Sequence, residues 1–140
     1  MSLVTEIAPA PAHIAIEHFS RLLSLETDCS DVAQALKEGA DFVLLHVIGT
    51  SAAYERGHVP TAIHLNHREI STERMAEWPV DTVFVVYCAG PHCNGADQAA
   101  LKLARLGRPV KIMIGGITGW ADEELPFATG PEAGQFQQVA

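Results

Sequence analysis

Two hydrophobic periods run through this chain and predict where its helices and strands fall. Between Ala12 and Leu25, the apolar residues Ile16, Phe19, Leu22 and Leu23 lie near helical spacing, which predicts an amphipathic helix. Ser30 is placed to cap a second, short helix with Val32, Ala35 and Leu36 on one face and Gly39 as its stop. "DFVLLHVIG" (41–49) is a nearly continuous apolar run, as expected of a strand buried on both faces. A polar loop containing "ERGHVP" follows, then a short strand around Ala62–Leu65 and a brief helix over Ile70–Trp78 stopped by Pro79. "TVFVVY" (82–87) is the strongest strand signal, β-branched and aromatic, bounded by Asp81 and by Gly90-Pro91. After the loop 88–94, Ala96, Ala99, Ala100, Leu103 and Leu106 mark one helix face, with Asp97 in the first turn, Lys102 and Arg105 late, and Gly107 past the end. "PVKIMI" (109–114) is a further strand, and "GGITGW" after it is rich in turn residues.

Short apolar strands alternating with helices predict an α/β fold with a central, mostly parallel sheet. The chain divides into a loose arm over 1–11, a single domain over 12–128 that includes the helix 12–25, and a Gly/Gln-rich tail over 129–140 expected to fray. The helix 12–25 could cover the sheet or mediate dimerisation, and its pattern does not choose between them.

Composition narrows the function. The 140 residues are 48% hydrophobic and 19% charged, enough for one domain with a core that needs no disulfide staples. Nine Lys+Arg against seventeen Asp+Glu leave a formal charge of −8, which argues against nucleic acid or an anionic membrane as partner. Three cysteines, Cys29, Cys88 and Cys93, are too few for a secreted disulfide scaffold. No basic segment opens the chain, and its longest apolar runs are far shorter than the roughly 18 residues of a membrane span. A reduced, cytoplasmic protein is the expectation.

Candidate chemistry gathers in the loop Cys88-Ala89-Gly90-Pro91-His92-Cys93-Asn94-Gly95, which joins the best strand to the best helix. Ligands of a parallel sheet bind at the carboxyl ends of its strands, where Cys88 lies. Loop N–H groups there can form an anion nest, and a helix N-terminus favours thiolate over thiol. His92 adds a donor nearby. The alternative is a strand cysteine that merely packs. Asn94, with Asp97 three residues on, reads as the helix N-cap.

The segments "GHVPTAIHL" (57–65), "VVYCAGPHCNGADQAALKLARLG" (85–107) and "MIGGITGW" (113–120) resemble, in the right order, those of the rhodanese-like sulfurtransferase domain. Thr61 stands where that family usually carries glycine. The resemblance spans roughly Glu26 to Pro126 and implies a three-layer fold with helices on both faces of the sheet. It implies Cys88 as the nucleophile and a Cys88 persulfide as the working intermediate, with no cofactor and no metal. Ala89, Gly90, Pro91, His92, Cys93 and Asn94 would then form the substrate-binding loop, their amides stabilising the persulfide. The implied partners are a small sulfur donor, thiosulfate or a persulfide, and a thiol or cyanide acceptor, with a protein thiol as a further acceptor.

Departures from the family pattern matter as much. The usual Asp-x-Arg at the end of the first strand is replaced by His46-Val47-Ile48, and no Lys or Arg occurs between Met75 and Leu101. A phosphatase would need arginine six positions after Cys88, where Asn94 stands, so phosphoryl chemistry is excluded. Lack of a cation shifts the expected donor from dianionic thiosulfate towards a thiol-bound persulfide. Cys93 is either a resolving thiol, attacking the Cys88 persulfide to release sulfide, or a residue packed into the helix start. Two further function classes follow: a Cys88/Cys93 redox protein, and a catalytically weak binding or sensing module. Cys88, His92 and Cys93 do not have zinc-site spacing. His64 and His67 need not converge, His58 reads as fixing its turn, and His46 could line the pocket in place of the missing acid. Trp78 and Trp120 read as packing at the core edge.

Overall fold

The computed structural model describes residues 1–136. Five strands form one parallel sheet in the order β1-β5-β4-β2-β3. These are β1 (Glu26–Thr27), β2 (Val43–His46), β3 (Ile63–His64), β4 (Phe84–Tyr87) and β5 (Val110–Met113). The helices are α1 (Ala12–Leu25), α2 (Cys29–Glu38), α3 (Ser51–Arg56), α4 (Thr72–Met75), α5 (Gly95–Arg105) and α6 (Gly116–Asp122), with a 3₁₀ turn at His67–Glu69. The expected α/β class and parallel sheet are therefore present.

Period-two alternation in the central strands feeds two cores. On one face, Leu44, Val85 and Tyr87 pack with Val32 and Leu36 of α2 and Trp120 of α6. On the other, Leu45, Phe84 and Val86 pack with Met75 of α4 and Ala96, Ala99 and Leu103 of α5. All four residues of β4 are buried, the consequence of neighbours on both edges and helices on both faces.

Several elements depart from the sequence expectations. The cap of α2 is Asp28, whose carboxylate accepts the Asp31 N–H at 2.8 Å, while Ser30 lies inside the helix. The polar loop before "GHVP" contains α3, capped by Thr50, whose hydroxyl accepts the Ala53 N–H. Of "GGITGW", only Gly115 lies in a turn, as the N-cap of α6, and the other five residues are in that helix. The brief helix over 70–78 contracts to α4, and the Arg108 guanidinium donates to the carbonyls of Met75 at its end and of Trp78 and Pro79 beyond it.

α1 forms where its pattern predicts, yet none of its residues is buried. Ile16, Phe19 and Leu23 are 67%, 56% and 71% exposed. It lies against β1 and β5, and its Leu23 carbonyl accepts a bond from Lys111. Far from fraying, the first part of the tail is tied down. Just before it Ala128 and His58 exchange backbone bonds; within it Gly130 N–H donates to the Glu55 carbonyl, the Ala133 carbonyl accepts the Thr61 N–H at 2.9 Å, and Phe136 is buried against Trp120. Thr61 takes φ +80°, the left-handed region that favours glycine, and the Ala133 bond holds it there. The rest of the tail, 137–140, lies outside the described residues. Among the described residues, no helix is long and apolar enough to cross a membrane.

Candidate active site

β4 delivers Cys88 to the carboxyl edge of the sheet with its side chain on the α5 face, only 3% exposed. The start of α6 clamps it from the other side. Ile117 N–H donates to the Cys88 carbonyl at 3.0 Å, and Thr118 N–H to the Ala89 carbonyl at 2.9 Å. That approach explains the glycine at 116: Gly116 has φ +56°, and a Cβ on it would overlap the Cys88 carbonyl.

The loop then folds into the N-terminus of α5. Cys93 N–H donates to the Gly90 carbonyl at 3.0 Å, and Pro91 has no N–H. The N–H groups of Ala89, Gly90, His92 and Asn94 have no protein acceptor among the described residues. Of the loop amides expected to form an anion nest, these four are the ones left free to donate. Asn94 occupies the cap position without capping: its side-chain oxygen accepts from Gln98 Nε2 at 2.7 Å instead of from a helix amide. The positive end of α5 is therefore left open towards the loop. Gly95 lets it come so close, since a Cβ there would lie 3.2 Å from Cys88 Sγ and 2.6 Å from Ile48 Cγ2.

Cys88 and Cys93 are joined as a disulfide, with Cα atoms 6.2 Å apart. Cys93 is thus the direct partner of Cys88 rather than only a packing residue, and its sulfur also accepts the Gly95 N–H at 3.5 Å. Cys29 is a free, buried thiol. Burial first, then the carboxylates of Asp28 and Glu123, push it up to about 11, so it stays protonated at neutral pH.

A cavity of about 580 Å³ opens beside this sulfur pair. Cys88, Gly90, Pro91 and Cys93 stand on its wall; Ala89, His92 and Asn94 do not. The His92 ring is exposed and folded back beside Gly90. Residues not put forward as site residues from the sequence supply the rest of the wall: Glu26 and Cys29 at the β1–α2 junction, Met113 at the end of β5, Gly115 just past it, and Glu123 at the end of α6. Their only sequence signal was position, since each lies at a strand's carboxyl end or at a helix terminus.

His46 does not line this cavity. The β2–β4 register pairs it with Tyr87, whose side chain lies on the face opposite Cys88. Tyr87 OH accepts the Val59 N–H at 3.0 Å and shares a hydrogen bond of 2.7 Å with His46 Nδ1. Burial, then His64 and His58, lowers the His46 pKa from 6.5 to about 4. His58 bridges the carbonyls of Tyr54 and Ala133, so it fixes its turn and the tail together. His64 donates to the Ile48 and Gly49 carbonyls, whereas His67 Nδ1 has no partner among the described residues, and the two do not converge. Trp120 is fully buried, with its N–H on the Pro126 carbonyl, and Trp78 packs edge-on to Phe84.

A parallel sheet with a buried cysteine at the end of its central strand, facing an open helix N-terminus, defines the class of protein. The family model of the rhodanese-like domain matches residues 29–123, and the chain belongs to that family. The BH2092 protein from Bacillus halodurans is 34% identical, with a TM-score of 0.81 over 86% of this chain and 88% of that one. An 81-residue stretch is 35% identical to the HTH-type transcriptional regulator Rv0324 of Mycobacterium tuberculosis, covering 58% of this chain and 35% of the regulator. The chain thus matches about a third of that relative's length. A thiosulfate sulfurtransferase from Pseudomonas aeruginosa superposes with a TM-score of 0.62 at 17% identity, over 86% of this chain and 23% of that one, and shows the fold alone.

Proposed function

We propose that this protein transfers sulfane sulfur through a persulfide on Cys88. The observation that carries the reading is the placement of Cys88 on the cavity wall, at the open N-terminus of α5 and beside unpartnered loop amides. The Cys88–Cys93 bond must first be reduced by an external thiol. Cys88 thiolate then attacks the outer sulfur of a persulfide R–S–SH, forming Cys88–S–SH and releasing R–S⁻. With thiosulfate the leaving group is sulfite. An acceptor thiolate removes the outer sulfur as its own persulfide, or cyanide removes it as thiocyanate, and Cys88 thiolate returns. The amides of Ala89, Gly90, His92 and Asn94 and the helix terminus supply the stabilisation of negative sulfur that no cation supplies here.

The disulfide favours a second reading of the same site. Cys93 thiolate attacks Cys88 Sγ of the persulfide, the outer sulfur leaves as hydrosulfide, and the Cys88–Cys93 bond closes. An external dithiol then reopens it. Mass spectrometry of the reduced chain after treatment with a persulfide donor tests both readings. Cys88→Ser should take up no sulfur and lose cyanide-dependent thiocyanate formation; retained full activity overturns the proposal. Cys93→Ser should accumulate the sulfur adduct on Cys88 and release no sulfide. If it releases sulfide at the unsubstituted rate, Cys93 does not resolve.

A further inference from the structure

We propose that the cavity beside Cys88 selects its reaction partners by charge, taking amine-bearing thiols and persulfides and turning away anionic ones. The inference rests on the reading of Cys88 as the reacting thiol, and it names the class of molecule that thiol meets.

Four carboxylates stand on the cavity wall: Glu26 of β1, Asp28 at the cap of α2, Asp97 of α5 and Glu123 at the end of α6. They come from four separate elements, and with Asp28, Asp97 and Glu123 exposed and Glu26 half-buried they stand on the solvent side of the cavity. No lysine or arginine lines the cavity. None of the four is neutralised, because the ion pairs among the described residues are Arg21–Glu17 and Arg74–Glu77. Lys111 is held by the Leu23 carbonyl, Lys102 by the His67 carbonyl and Arg108 by carbonyls at the end of α4. Between the carboxylates the wall is apolar, formed by Ala96, Ile112 and Met113. Low-dielectric walls lined by one sign of charge focus the field across the opening.

The charges are thereby divided by distance. At the sulfur itself, loop amides and the α5 terminus favour an anion over the few ångströms where hydrogen bonds and a helix end act. At the mouth, the carboxylates favour a cation on the rest of the molecule. A reagent whose sulfur is nucleophilic or electrophilic and whose tail carries an ammonium group satisfies both. Thiosulfate, charged at both ends, satisfies only the first. The cavity's volume of about 580 Å³ is that of a small-molecule site.

The charge selection can be measured without any sulfur transfer. The reduced full-length chain is treated with three methanethiosulfonate reagents, bearing a trimethylammonium, a neutral methyl or a sulfonate group. Labelling of the Cys88 peptide is followed by mass, and each rate is divided by that of free cysteine with the same reagent. At low ionic strength the cationic reagent should outpace the anionic one by about tenfold or more, and the ratio should contract towards one in ~1 M salt. The paired substitution Asp97→Asn with Glu123→Gln should contract it likewise. Equal normalised rates, a faster anionic reagent, or a salt-independent ratio would each overturn the inference. Sulfur uptake from a persulfide donor is measured alongside. Charge-selective labelling without uptake would sink the sulfur-transfer reading alone, and uptake without charge selectivity would sink this inference alone.

Discussion

Tyr87 and Cys88 are neighbours in sequence that serve opposite sides of the sheet, because successive side chains of a strand alternate faces. Cys88 meets the cavity, while Tyr87 buries its hydroxyl between Val59 N–H and His46 Nδ1. Burial first, then His64 and His58, holds His46 neutral, and its depressed pKa makes it a source of pH-dependent stability. Between 6.5 and about 4, the unfolded chain binds a proton at His46 that the folded chain refuses, so stability falls as the pH drops through that window. The contribution is on the order of 2 kcal/mol between pH 7 and pH 5. Urea unfolding at both pH values should show it as the difference between the unsubstituted chain and His46→Asn, whose own loss should be smaller by about that amount. Equal losses would show that His46 does not carry it.

At the scale of elements, periodicity found the long helices and the central strands, and missed α3 and α6. The six residues of α3 are too few for a hydrophobic period, although Thr50 before it and Gly57 after it are a cap and a stop that could have been read. α6 was hidden by its glycines, which sequence alone assigns to a turn. Gly116 is there because α6 starts against the Cys88 carbonyl, a contact between segments 28 positions apart. Gly116→Ala should therefore cost about 2 kcal/mol or more, from both the left-handed φ and the overlap. It should also slow Cys88 labelling, as the loop is pushed off α6. Thermal unfolding and the labelling rate check the two effects, and an unchanged melting temperature would contradict the packing described.

Across the whole molecule, the tail shows how a polar, glycine-rich segment can be structural. Phe136 closes the core over Trp120, the Ala133 carbonyl holds Thr61 and His58, and the Gly130 N–H donates to the Glu55 carbonyl. Phe136→Ala should cost ~3 kcal/mol, the range for truncating a buried aromatic residue. Differential scanning calorimetry would measure it, and a loss below ~0.5 kcal/mol would mean that the tail only rests on the surface. The sequence by itself determined the parallel α/β sheet, the position of Cys88 at the end of its strongest strand, and the absence of cations around it. Those follow from local periods, from β-branched runs and from which residues are charged. Only the tertiary structure decided that Cys93 bonds to Cys88, that His46 faces away from the cavity, and that carboxylates from four elements line it. Each of these depends on register and on contacts between distant segments, which a one-dimensional pattern does not contain.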